Sequence, residues 1–263
     1  MTSLRQACVR QREMTADGHT GSNGPYTEGG HAQFEGLTEL TNTGFTMETE
    51  SITAAAAAPV QQRTPEWLSA RAGKFTASRL AALMARTRSG PAASRANLIV
   101  ELAVERLTGT CDSGYSNGAM QRGVELEPEA RVAYELAAGV SVVEVGFCAH
   151  PLLAHVGCSP DGLVGAAGLV EIKCPAAMAR HAAALLHGTH ADDYRWQVQG
   201  QLWVTGRQWC DVVSYDPRFP AKLQLAIRRV EPDSDAIAEL EHAVAEAEAE
   251  VAAMVTQLTN KET

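Results

Sequence analysis

The sequence contains no run of about 18 apolar residues, so no membrane-spanning helix is expected. It does not open on a basic start followed by an apolar stretch, so no secretion signal is expected. Its six cysteines, at positions 8, 111, 148, 158, 174 and 210, form no CxxC or CxxxC pair. That spacing argues against a zinc or iron–sulfur site. In a chain of 263 residues it fits a reduced, disulfide-free cytoplasmic protein better than a secreted one. The length allows one or two domains with a buried core, and the apolar content of 45% is ordinary for a globular chain.

Acidic residues are absent from one stretch in particular. Residues 67–100 carry Arg71, Lys74, Arg79, Arg86, Arg88 and Arg95 and no Asp or Glu. The net charge of −9 hides this asymmetry: residues 1–59 sum to −4, residues 60–230 to +3 and residues 231–263 to −8. A mildly positive centre with an acid-free basic stretch can neutralise phosphates. A basic face turned to solvent would give the same count.

Residues 1–60 are rich in Gly, Thr, Ser and Glu and end in the tract Ala54–Ala58. They are expected to be disordered, and Met47 is an alternative start. Thr64-Pro65-Glu66-Trp67 has the pattern of a helix N-terminus, with Thr as cap and Pro in the first turn. Helices are expected over about 78–85, over 92–108, where apolar residues are spaced by three and four, and over 119–138, the last kinked or restarted at Pro128. The period then changes. Residues 140–150, 155–165 and 168–174 read as strands, followed by helices over about 176–186 and 194–204 and strands over 208–215 and 223–230. Residues 234–258 form an amphipathic helix, with Ser234 as its expected cap and a stripe suited to packing on its own domain or, alternatively, to a coiled coil. The segments 1–60, 61–232 and 233–263 are the expected units, and the middle one is a mixed α/β (α+β) core.

The chemistry lies in Cys158–Cys174, CSPDGLVGAAGLVEIKC. Within a strand Glu171 and Lys173 share a face, while Val170 and Ile172 share the other. Asp161 precedes a short connection that can bring it back towards Glu171. Two carboxylates held together ionise comfortably only around a cation. Such an oxygen-rich pair suits Mg²⁺ or Mn²⁺, and Lys173 beside it can polarise a water or stabilise phosphoryl charge. A structural Glu–Lys pair at a sheet edge is the plain alternative. Pro160-Asp161 followed by Glu171-Ile172-Lys173 matches the PD-(D/E)xK pattern of restriction-endonuclease-like nucleases.

Five segments occur in order around this pattern: RTPEWLSARAGKFTAS (63–78), RGVELEPEAR (122–131), VGCSPDGLV (156–164), GLVEIKCP (168–175) and WQVQGQLWVTGRQW (196–209). Together, over roughly residues 63–230, they resemble the phage lambda-type exonuclease family of viral recombinases. The resemblance implies a restriction-endonuclease-like core, a central mixed β-sheet flanked by helices, in residues 61–232. It implies metal binding by Asp161, Glu171 and the Ile172 carbonyl, catalysis by Lys173, and support of a second metal by Glu127, chosen over Glu125 and Glu129 by the family's spacing. It further implies that Arg71, Thr76 and Ser78 hold a DNA 5′-phosphate, with Ser159 and Gln199 nearby and Gln197 as the competing glutamine.

The activity so implied is Mg²⁺-dependent 5′-to-3′ digestion of double-stranded DNA from a free end. Two ions per site are expected, with Mn²⁺ able to substitute. The products would be 5′-mononucleotides and a 3′ single strand. A homotrimeric ring, a single-strand annealing protein as partner and a phage- or prophage-encoded origin in a bacterial host are also implied. An endonuclease of the same fold and a catalytically silent DNA-binding module are the rival readings. An iron–sulfur nuclease–helicase relative is disfavoured by the cysteine spacing. His150, His155, His187 and His190 read as ordinary histidines rather than zinc ligands, and the four tryptophans as core residues.

Overall fold

The computed structural model describes residues 61–111 and 118–261. The expected disorder of residues 1–60 lies outside them. Helix α1 (Pro65–Arg71) starts as the sequence predicts: the Thr64 hydroxyl accepts from the Trp67 N–H at 3.2 Å, and Pro65 occupies a position whose N–H would be unpaired in any case. Strand β1 (Phe75–Thr76) and a 3₁₀ turn lead into α2 (Leu80–Met84). A small hairpin, β2 (Arg86–Thr87) with β3 (Gly90–Pro91), was not expected; its two-residue strands are too short to show a period. Helices α3 (Ala93–Thr108) and α4 (Gly118–Ala138) follow. Pro128 lies inside α4, which runs on as one helix; Ala130 and Tyr134, just beyond it, are fully buried and pin that half to the sheet.

The expected strand over 140–150 is two short strands in different sheets, β4 (Val142–Val143) and β5 (Cys148–Ala149). The stretch 155–165 likewise divides into β6 (Val156–Cys158) and β7 (Gly162–Val164). Pro160 between them has no N–H to give to a ladder, so the chain leaves one sheet and joins the other there. Strand β8 (Gly168–Lys173), helices α5 (Met178–His187), α6 (Thr189–Asp193) and α7 (Arg195–Thr205), strands β9 (Trp209–Tyr215) and β10 (Leu225–Val230), and helix α8 (Ser234–Thr259) complete the order.

The main sheet has five strands in the order β10-β9-β8-β7-β4. It is mixed: β8 and β9 run parallel, while the other neighbours run antiparallel. A second sheet, β1-β6-β5, lies beside it in the chain path and supplies the segment leading to Asp161. Both faces of the main sheet are covered. On one side Ala130 and Tyr134 of α4 pack with Val170, Ile172, Val213 and Tyr215. On the other, Val198 and Leu202 of α7 pack with Leu169, Cys210 and Val212. Double burial explains why β8 reads as an almost continuous apolar run.

A third cluster joins α2, α3 and α8 through Leu80, Leu98, Leu102, Leu240, Val244 and Val251. The apolar stripe of α8 is therefore spent on its own chain. Glu250 and Glu248 fix the helix to α3 through forked pairs with Arg95 and Arg106. Its cap is Asp233 rather than Ser234: the Asp233 carboxylate accepts from the N–H groups of Asp235 and Ala236, at 3.0 and 3.1 Å.

Candidate active site

Strand β8 crosses the middle of the main sheet, and its last three residues run past the end of β7, whose pairing stops at Val170 opposite Gly162. The 159–161 bend fills that gap. Asp161 Oδ2 accepts from the Ile172 N–H at 2.7 Å. Within a strand the N–H and C=O of one residue point to the same side. The Ile172 carbonyl therefore faces the Asp161 side of the strand as well.

Glu171 lies on the opposite face of the strand from Ile172 and is 2% exposed. Its carboxylate is fully engaged. Oε1 accepts from Lys173 Nζ and Gln197 Nε2, each at 2.5 Å, and Oε2 accepts from Gln201 Nε2 at 2.5 Å. Gln197 and Gln201 stand one turn apart on α7, so one face of that helix presents two amides to one carboxylate. Lys173 Nζ also lies 3.4 Å from Gln197 Oε1 and sits over the Tyr194 ring at 4.2 Å from its centroid.

Charge does not balance here. Burial and then the Glu171 charge raise the Asp161 carboxyl well above the ordinary aspartate value, with Glu127 adding to the effect. Burial opposes the charge of Lys173, but Glu171 and Asp161 outweigh it and hold the ammonium above the usual lysine range. One lysine, mostly buried, faces two carboxylates. Glu127, on α4, accepts from Arg63 at 2.5 Å and from Arg131 at 3.1 Å, and Arg131 also pairs with Glu144.

Among the described residues no three His, Cys, Asp or Glu side chains converge as a ready-made metal cage. A hard divalent ion that keeps most of its waters needs only one or two carboxylates. The Asp161 and Glu171 carboxylates and the Ile172 carbonyl supply an all-oxygen donor set with excess negative charge, which fits Mg²⁺ or Mn²⁺ and not a soft metal.

A second cluster has the opposite imbalance. Arg71, at the end of α1, donates to the hydroxyls of Ser159 at 3.3 Å, Ser78 at 3.3 Å and Thr76 at 3.5 Å, and lies over the Trp67 ring at 4.2 Å. Trp67 Nε1 donates to Ser159 Oγ at 2.9 Å. Burial, then the charge of Arg79, lowers the Arg71 pKa to about 10. Its hydrogen-bond partners are hydroxyls, so a half-buried guanidinium and three hydroxyls form a cluster suited to an anion. Ser159 and Asp161 are two residues apart, which puts this pocket and the acid centre on the same bend.

The structure therefore brings together Asp161, Glu171, Ile172 and Lys173 at one point, and Arg71, Thr76, Ser78 and Ser159 at the next. Glu127 is in electrostatic reach of Asp161. Gln199 is not part of either cluster. Its amide is buried and donates to the Glu231 carbonyl at 2.9 Å while its oxygen accepts from the Asp233 N–H at 2.8 Å. Two residues along a helix is a turn of about 200°, so Gln199 and Gln197 face opposite ways. Gln197 is the glutamine at the centre. Gln201 was missed, although its spacing from Gln197 is a visible signal once the phase of α7 is known. Trp67, expected in the core, is instead partly exposed and outside the core clusters; it is the aromatic floor under Arg71. No helix among the described residues is long and apolar enough to cross a membrane.

Comparison with known proteins agrees with this geometry. Residues 66–208 match the family described as a YqaJ-like viral recombinase domain. The alkaline exonuclease LHK-Exo from Laribacter hongkongensis is 48% identical, with a TM-score of 0.68 over 74% of this chain and 96% of that one. The same exonuclease solved in complex with dAMP is 49% identical, with the same TM-score and coverage. A phage-related exonuclease from Haemophilus somnus 129PT shares the fold at 15% identity, with a TM-score of 0.58 over 70% of this chain and 96% of that one. No curated protein matches the chain. The sheet and flanking helices have the restriction-endonuclease-like fold of these exonucleases. The chain belongs to the YqaJ-like viral recombinase family, nucleases of the lambda-exonuclease type.

Proposed function

We propose that this protein is a divalent-cation-dependent nuclease that digests one strand of double-stranded DNA from a free 5′ end. The observation that carries the reading is the adjacency of two charge-unbalanced clusters on one bend, an acid centre at Asp161 and an anion pocket at Arg71. A 5′-phosphate in the Arg71 pocket would hold the strand end while a phosphodiester lies over the acid centre. Each cut that releases a 5′-mononucleotide leaves a new 5′-phosphate for the same pocket. An endonuclease has no need of such a pocket, which favours the exonuclease reading.

Asp161, Glu171 and the Ile172 carbonyl would hold the cation, with Glu127 serving a second one or its water. When bound, Mg²⁺ would neutralise the acids and stabilise phosphoryl charge. Lys173 keeps its proton under the pull of Glu171 and Asp161. Its ammonium is placed to orient a water and to offset charge growing on the phosphoryl oxygens. Gln197 and Gln201 fix Glu171, and the Tyr194 ring limits where Lys173 Nζ can go. Family membership supports two further proposals, a ring of three subunits around DNA and a single-strand annealing partner that receives the exposed 3′ strand.

The test compares linear with covalently closed circular duplex, in Mg²⁺, Ca²⁺ or EDTA. Linear DNA should disappear from its 5′ ends in Mg²⁺ only, with Ca²⁺ supporting binding but little cleavage. Cutting of closed circles at a similar rate would favour the endonuclease, and full activity in EDTA would end the cation reading.

A further inference from the structure

Arg63 has φ +69°, the left-handed backbone that side chains rarely adopt, and no other non-glycine among the described residues has a positive φ. Core burial does not explain it, since the Arg63 side chain is 48% exposed. Its neighbours fix the segment instead. Gln62 Nε2 donates to the Pro160 carbonyl at 2.9 Å and to the Val145 carbonyl at 3.0 Å, which ties the strap to the bend carrying Asp161. Thr64 caps α1. Between these two anchors the left-handed residue sends its guanidinium to Glu127 Oε2, at 2.5 Å. The other Glu127 oxygen accepts from Arg131. Strained backbone at a functional site points to a role for the side chain it aims.

We propose that Arg63 is a displaceable counter-ion, whose guanidinium occupies Oε2 of Glu127 and competes with a divalent cation for it. The inference rests on the reading that Glu127 belongs to the cation centre. The chemistry favours displacement over permanent pairing. Arg131 holds its Glu127 oxygen from within the same helix and is mostly buried, with a side chain 13% exposed. Arg63 is half exposed, against 12% for Glu127, so solvent and salt compete for its guanidinium as they do not for that of Arg131. A doubly charged ion shared with Asp161 can take that oxygen, and the guanidinium can leave for solvent or for a DNA phosphate. Before the ion arrives, Arg63 offsets the repulsion that Glu127 adds to an already crowded acid centre.

The experiment is calorimetric titration of the full chain with Mn²⁺ in the absence of DNA. Arg63→Gly is the chosen variant, because glycine keeps the left-handed backbone without strain while removing the guanidinium. Losing a competing surface pair should tighten Mn²⁺ binding about two- to fivefold. In a Glu127→Gln background the same change should have no effect. Equal or weaker Mn²⁺ binding by Arg63→Gly overturns the proposal, as does a gain that persists with Glu127→Gln, which would reflect net charge alone. Arg63→Lys, with a charge but no fork, should fall between wild type and Arg63→Gly. Asp161→Asn separates the two layers of interpretation. If it binds Mn²⁺ as wild type does, the cation reading of the acid centre fails and the counter-ion inference with it. If it binds poorly while Arg63→Gly leaves wild-type affinity, only the inference about Arg63 fails.

Discussion

Glu105 and Glu171 are both buried carboxylates, 3% and 2% exposed, yet they are satisfied in opposite ways. Glu105 meets Arg79 head-on: both of its oxygens accept from the guanidinium, at 2.8 and 2.5 Å, and Oε2 also accepts from the Gly73 N–H at 2.8 Å. One negative charge meets one positive charge. Burial opposes the ionised form, but Arg79 and Gly73 overcome it and hold the Glu105 carboxyl below the usual glutamate value. Glu171 meets one ammonium and two neutral amides and shares that ammonium with Asp161. The first arrangement is complete in itself and works as structure. The second is a set of well-ordered acids with charge left over, which is what a cation site requires before its cation binds. Arg71 is the mirror case, a half-buried cation whose hydrogen-bond partners are hydroxyls.

Substitution should separate the two kinds of buried acid sharply. Asp161→Ala and Lys173→Ala are expected to lower digestion by at least about 10²–10³-fold while the protein stays folded, since each removes an electrostatic element of the reaction. Rates from initial nucleotide release and folding from circular dichroism check this, and near-normal turnover in either folded variant would remove that residue from the centre. Glu105→Ala should act on stability instead. Stranding Arg79 beside the core costs about 3 kcal/mol, read from denaturant midpoints. The sign of its pH dependence follows from the lowered pKa. Glu105 stabilises the fold fully above the unfolded-state value near 4.5, and that contribution is lost as pH falls through the lower folded-state value. The wild-type minus Glu105→Ala stability difference should therefore shrink on acidification below about pH 4.5.

A smaller contrast is confined to one helix. Gln197→Ala removes one hydrogen bond to Glu171 and should slow turnover about tenfold, ~1.4 kcal/mol, with little loss of stability. Gln199→Ala leaves the Asp233 N–H and the Glu231 carbonyl without their partner. It should cost about 1–2 kcal/mol of stability with turnover unchanged. Reversed effects would mean that the phase of α7 differs from that described.

The acid centre was legible because strand geometry is short-range. Once residues 168–174 are read as a strand, Glu171 and Lys173 share a face, and the preceding bend returns Asp161 to it. Which glutamine joins them was not legible, since the phase of α7 is decided by Val198 and Leu202 packing on the sheet and not by the glutamines themselves. The split of 140–150 between two sheets was hidden for a similar reason: both halves are β-branched or apolar, and only their partners in β6 and β7 distinguish them. The Arg79–Glu105 and Arg63–Glu127 pairs span 26 and 64 residues, and no local pattern announces them. The Arg71 pocket was half visible. Basic residues without acids marked the stretch, but Ser159 closes the pocket from 88 residues away.

The central claim is that buried charge left unmatched inside the protein is matched by its substrate and ion, and Arg71 offers the most direct test of it. The measurement is the initial rate of digestion in Mg²⁺ on linear duplexes that differ only in a 5′-phosphate or a 5′-hydroxyl, for wild type and Arg71→Ala. Wild type should favour the phosphorylated end several-fold, and Arg71→Ala should be slower on that end with the ratio near one, because the bidentate guanidinium–phosphate contact is gone. A mutant that keeps the wild-type ratio would contradict the account and return the basic stretch to an ordinary solvated face.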